Sequence, residues 1–208
     1  MNKAKSQDKQ QETVNKYKAL DNLIQSKCSG LYSGFAFDER KVIETDYVPI
    51  ECISLSNLLG GYPKGKIVEF RGGWSGGKTT LALYLVSQLQ KKGYTHLWVD
   101  TENAFDDKYA RACGINLNPG KGFAVIRPES AEDSLEALRI TASSGIIDFM
   151  WLDSVASMAC KEEKEKNVDD KSVAIKARLM SKILPQLSSS CSAHNCTITF
   201  INQLRTAN

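Results

Sequence analysis

The sequence predicts an α/β fold in which a mostly parallel, twisted sheet carries helices on both faces, preceded by an amphipathic N-terminal helix. Three observations predict it. From Lys66 onward, short apolar runs alternate with segments of helical periodicity, the order that builds parallel strands joined by crossover helices. The first run, KIVEFR (66–71), passes through a glycine-rich stretch, GGWSGGKTT (72–80), straight into an amphipathic run, TTLALYLVSQLQKK (79–92). A later run, IDFMWLD (147–153), ends on a carboxylate, at the strand end where open α/β sheets place their ligands.

The elements follow in order. Residues 9–27 set Val14, Tyr17, Leu20 and Ile24 on one helical face among lysines and glutamines, which is either a helix packed on its own domain or a docking helix for another subunit. Ser29 to Pro49, rich in glycine, serine and charge, reads as a connector. We therefore expect residues 1–48 to form a helix and connector and 49–208 a core. In the core the expected strands are KIVEFR, THLWVD (95–100), GFAVIR (122–127), IDFMWLD and CTITFIN (196–202), with right-handed crossovers. A helix near 171–190 places Ile175, Leu179, Met180, Ile183 and Leu187 on one side, and Pro185 is expected to kink or shorten it.

Length and charge set bounds. A chain of 208 residues buries one substantial core, and 27 Lys plus Arg against 24 Asp plus Glu give a net charge of +3, too mild to demand nucleic acid. No apolar run reaches membrane-spanning length, and MNKAKSQDKQQETVNKYK lacks the apolar centre of a secretory signal, so a cytoplasmic location is expected. The six cysteines, Cys28, Cys52, Cys113, Cys160, Cys191 and Cys196, show no CxxC pairing and are read as reduced thiols. His96 and His194 have no ligand-like spacing.

The stretch from Gly72 fits GxxxxGKT. A loop that wraps a phosphate turns its N–H groups inward, which favours glycine at Gly72, Gly73, Gly76 and Gly77, with Trp74 and Ser75 between them. The following helix offers unpaired N–H groups and a positive dipole end, Lys78 adds a full charge, and Thr79, followed by Thr80, offers a hydroxyl to Mg²⁺. Asp153 is placed to orient the metal, or else caps the next helix. VDTENAFDDKY puts Asp100 and Glu102 at a strand's carboxyl edge; Glu102 is the chosen base for an attacking water, Asp100 is read as helping to shape the metal environment, and a solvated loop acid is the plain alternative for either. Asn202 and Gln203 end the fifth strand, where an amide either senses a γ-phosphate or satisfies loop backbone.

Taken together, ISLSNLLGGYPKGKIVEF, GGWSGGKTTL, DTENAFDDKYARACGI, WLDSVAS, AIKARLMSKIL and FINQLR resemble the bacterial and phage RecA recombinases, in order from near Cys52 to Arg205, about three quarters of the chain. The resemblance implies a RecA-like P-loop core that binds ATP with Mg²⁺. Gly72, Gly77, Lys78 and Thr79 would form the phosphate loop, Glu102 the hydrolytic base, Asp153 the acid on the Mg²⁺ side and Gln203 the γ-phosphate sensor. Asp106 would recognise and Tyr109 stack on adenine. It further implies a DNA-dependent ATPase that forms helical filaments on single-stranded DNA, pairs it with homologous duplex DNA and exchanges strands, with the N-terminal helix docking on a neighbouring protomer. Two departures stand out. ACKEEKEKNVDDK (159–171), at the first DNA-binding loop, carries four lysines against five acids and is no simple basic clamp. The chain also stops at Thr206, Ala207 and Asn208, where the second such loop begins, so a core incomplete at its C-terminal end is expected. Two competing readings remain: a small-molecule P-loop kinase, and a non-catalytic ATP-binding or filament-docking fragment.

Overall fold

The computed structural model describes residues 45–161 and 169–204, with helical positions 15, 16, 18, 19, 22, 23 and 26; side chains 169–174 stand outside the description. The chain divides into two compact units, residues 1–44 and 45–208. In the first, the described positions are helical and the Ser26 hydroxyl donates to the Leu23 carbonyl at 2.8 Å. Val14, Tyr17, Leu20 and Ile24, on which the amphipathic reading rests, lie outside the described residues.

The second unit begins with an element absent from the sequence expectation. The end of the supposed connector forms β1 (Tyr47–Val48), which pairs antiparallel with β2 (Tyr62–Pro63). Between them runs α1 (Ile53–Leu59), which buries none of its residues and ends at Gly60 with φ +76°. Gly61 has φ +134°, and a Cβ there would stand 2.7 Å from the Val48 carbonyl oxygen, so the chain crosses its neighbour only as glycine.

The main sheet contains β3 (Ile67–Gly72), β4 (His96–Asp100), β5 (Phe123–Ile126), β6 (Phe149–Asp153) and β7 (Thr197–Gln203). Its order is β3-β7-β6-β4-β5, and every pairing is parallel. All five expected strands are therefore present, each within one or two residues of its expected ends. Strands β4 and β6 are buried at every position, as parallel strands covered on both faces must be.

The alternation of side chains divides two cores. Leu97, Val99, Met150, Leu152, Ile198 and Phe200 face α4 (Ala131–Ser144) and α5 (Asp169–His194). Trp98, Phe149, Trp151 and Ile201 face α2 (Lys78–Lys91) and α3 (Asp107–Ala112), with Tyr62 closing the layer. Tyr62 stacks on Trp151 with centroids 5.5 Å apart, and its hydroxyl bonds that of Thr199. Fully burying rings of this size makes each worth roughly 3–5 kcal/mol against truncation to alanine. His96 is buried in this layer; its Nδ1 accepts from the Trp151 indole at 3.3 Å and its Nε2 finds no partner among the described residues. Burial lowers its pKa to about 3, partly offset by Asp148, so the ring stays neutral.

Pro185 does not shorten its helix: α5 continues to His194. The lost N–H is offset by packing, because Ile183, Leu184, Leu187 and Cys191 on both sides of the proline press onto the sheet.

Candidate nucleotide site

Strand β3 delivers the chain to the carboxyl edge of the sheet, and the glycine-rich loop turns there into α2. Gly77 caps that helix with φ +76° and no side-chain cap, leaving the first N–H groups of a 14-residue helix directed at the loop. Ser75 also adopts positive φ, +53°, and a Cβ on Gly76 would press to 3.2 Å of the Gly73 carbonyl oxygen. Glycine is thus favoured at Gly77 by its backbone angle and at Gly76 by the close carbonyl, while Gly72 and Gly73 leave room for a Cβ. The Lys78 ammonium folds back on it, donating to the Gly73 carbonyl at 2.6 Å and the Gly72 carbonyl at 3.2 Å.

Sheet order brings the acids to this loop. Because β7 lies between β3 and β6, the ends of three strands converge, and one cleft of about 300 Å³ is lined by Trp74 through Thr80 together with Glu102, Asp153, Ser154 and Gln203. The Thr79 hydroxyl donates to Asp153 Oδ2 at 2.8 Å. Burial raises the Asp153 pKa to about 6; the Thr79 bond pulls it down, Glu102 and Asp100 push it up, and Lys78 pulls it down. Among the described residues no three His, Cys, Asp or Glu side chains cluster as a metal site. A hydroxyl and one carboxylate suit a hard cation that keeps most of its water, which is the habit of Mg²⁺.

Glu102 is held by two donors on one oxygen. The Ser154 hydroxyl donates to Oε1 at 2.6 Å and the Gln203 amide to the same atom at 3.3 Å. Thr101 donates to the Ser154 carbonyl at 2.8 Å, and Ser157 shares bonds with both Thr101 and Ser154. The sequence reading missed Ser154 and Ser157. The signal was the pair of serines in WLDSVAS, immediately after the strand-ending acid.

The remaining expected residues divide. Tyr109 is joined to the loop through its hydroxyl, 2.8 Å from that of Thr80. Asp106 caps α3, accepting from the Lys108 and Tyr109 N–H groups at 2.7 and 3.0 Å through Oδ1 alone. Asp100 is committed to structure: it accepts from the Ala104 and Phe105 N–H groups and pairs with Arg127 Nε at 3.2 Å. Asn202 spends its amide on Glu69. Of the charged stretch 159–171, residues 162–168 lie outside the description, while Lys161 pairs with Asp133 at 2.8 Å. No helix among the described residues is long and apolar enough to cross a membrane.

Comparison with known proteins adds an independent line. Residues 23–207 match the family model described as the RecA N-terminal domain. Over 196 residues the chain is 38% identical to Protein RecA of Clostridium botulinum (strain Eklund 17B / Type B), covering 92% of this chain and 54% of that protein. It is 38% identical over 208 residues to Protein RecA of Chloroherpeton thalassium, covering 98% and 57%, and 38% identical over 201 residues to that of Azospirillum lipoferum, covering 94% and 55%. The chain spans about half the length of the curated relatives it matches.

Proposed function

The chain belongs to the RecA family, and on that premise we propose that it is the ATP-binding part of a DNA-dependent ATPase of the recombinase type. The observation that carries the reading is the cleft itself, where Lys78, Thr79 and Asp153 face Glu102 and Gln203 across a space of about 300 Å³.

In this reading the ATP phosphates occupy the loop from Gly72 to Thr80, and the Lys78 ammonium exchanges the Gly72 and Gly73 carbonyls for phosphate oxygens. Thr79 and Asp153 would hold Mg²⁺, which would supply charge compensation to the phosphates. Glu102 takes the proton of the attacking water, and the Ser154 bond on Oε1 fixes which oxygen remains for that task. The Gln203 amide, now on Glu102, exchanges that partner for the γ-phosphate and so reports its presence. Tyr109 offers a ring to adenine, and Asp106 offers only the oxygen its capping role leaves over. The family activity then follows as a switch: ATP favours a filament that grips single-stranded DNA and pairs it with homologous duplex, and hydrolysis releases it. The helix within residues 9–27 serves as the docking element between protomers, and the protein works in the cytoplasm.

Titration with a fluorescent ATP analogue in Mg²⁺ tests the site. Lys78→Ala should weaken binding by roughly 10–100-fold, the worth of lost charge-assisted hydrogen bonds. Glu102→Gln should retain binding while lowering hydrolysis by about 10²–10⁴-fold. Equal affinity in wild type and Lys78→Ala would remove the phosphate-loop assignment; unchanged turnover in Glu102→Gln would remove the base.

A further inference from the structure

At the end of the sheet opposite the nucleotide cleft, two cysteines meet. The end of α5 and the turn after it read CSAHNC, residues 191–196, and Asn195 turns the chain with φ +51°. The Cys196 N–H then donates to the Cys191 carbonyl at 3.2 Å. This six-residue closure ends many helices, and it sets the side chain of the third residue from the helix end against that of the second residue beyond it. Those two positions are Cys191 and Cys196. Both carry free thiols, both are buried, and both belong to the core layer under α4 and α5.

The surroundings give the pair a polarity. The Cys191 thiol holds the Cys196 thiol below its ordinary value, and Lys64 pulls the same way against burial and Asp148. The bond to Cys196 and burial push Cys191 up. Lys64 and Asp148 stand 3.9 Å apart where β6 begins, the Asp148 side chain is one-third exposed, and both charges act on the Cys196 thiol. Its helical partner is a final turn, the part of a helix that frays first.

We propose that Cys191 and Cys196 form an oxidisable dithiol, a modification site at which a peroxide converts two thiols into an intramolecular disulfide linking the end of α5 to the start of β7. Cys196 as thiolate attacks one peroxide oxygen; an S–O bond forms, the O–O bond breaks, and the departing hydroxide takes a proton to become water. Cys191 loses its proton as its sulfur attacks the Cys196 sulfur, the S–S bond forms, and the S–O bond breaks to release a second water. The two thiols lose two electrons and two protons, and the peroxide gains them. The backbone bond between the two residues holds them next to each other, the close approach a disulfide needs.

The plain alternative is a pair of small apolar side chains filling the helix-end contact. Peptide mapping separates the two. The full reduced chain is treated with hydrogen peroxide under native conditions, alkylated and digested with trypsin; no lysine or arginine lies between residues 183 and 204, so both thiols fall in one peptide. We expect that peptide to lose both alkylation sites together, to lose the mass of two hydrogens, and to recover both with dithiothreitol. Cys191→Ala should leave Cys196 as a sulfenic acid trapped by dimedone, whereas Cys196→Ala should leave Cys191 untrapped. Oxidation confined to the more exposed Cys52 and Cys113, or sulfinic acid on Cys196 beside an alkylated Cys191, would overturn the proposal. The wild-type map decides even where a variant fails to fold.

Discussion

Asp153 sits at the bottom of the cleft with Thr79 as its hydrogen-bond donor and two further acids acting on it, and its pKa rises from 3.8 to about 6. The cause is burial first, so ionisation costs stability. A folded-state pKa above the unfolded one means the stabilising contribution is complete below pH 3.8 and is lost as pH rises through about 6. The difference is about 3 kcal/mol at neutral pH. We therefore expect Asp153→Asn, in EDTA, to melt several degrees above wild type at pH 8, with the gap closing near pH 4. His96 titrates with the opposite sign, losing stability from pH 6.5 down toward 3, and is common to both proteins, so the difference between them isolates Asp153. A wild type that melts higher at pH 8 would show that the acid is not strained in the metal-free cleft. The same substitution should weaken Mg²⁺-dependent ATP binding.

Among elements, α5 holds the clearest conflict between local and tertiary forces. Pro185 is exposed, lies nine residues before the helix end, and removes the N–H that would bond Ser181. Replacing it with alanine restores the donor without uncovering packed surface, and the gain of up to about 3 kcal/mol in helix propensity is reduced by about 1 kcal/mol through the freer unfolded chain. Pro185→Ala should raise the melting temperature by roughly 2–8 °C; a fall would mean the proline shapes the packing of Ile183 and Leu187. What was legible in the sequence follows the same division. Glycines at Gly72 to Gly77 and the apolar run before Asp153 are local signals, and both placed their elements within two residues. The β1–β2 pair was illegible because two-residue strands carry no periodicity, and shortening at Pro185 did not follow because propensity was read without the apolar surface on either side of it. Ser154 was invisible because its role depends on Glu102, which the sheet brings from 52 positions away.

For the whole molecule, the sheet order leaves β3 and β5 at the two edges, and β3 is the edge strand that leads into the glycine-rich loop. Within the described residues β3 pairs only with β7, and its exposed positions contrast with β7, buried from Thr197 to Ile201. An edge strand leaves alternate N–H groups open to solvent. Hydrogen exchange should therefore run faster for amides of residues 67–72 than for 197–203, and added Mg²⁺-ATP should slow the former selectively through mass action. Better protection in β3 than in β7 would show that the edge is covered.

The register of β3 also sets a timetable for synthesis. Gly72 and Gln203, paired across the sheet, are 131 positions apart, and among the described residues no nearer strand stands beside β3. At about 5–20 residues per second the ribosome needs roughly 7–26 s between the two. Within that interval β4, β5 and β6 are made in turn and can pair with one another, while the glycine-rich loop hangs on a strand without a partner. Among the described strands of the five-stranded sheet, β3 is therefore the first to be translated and the last to gain its partner.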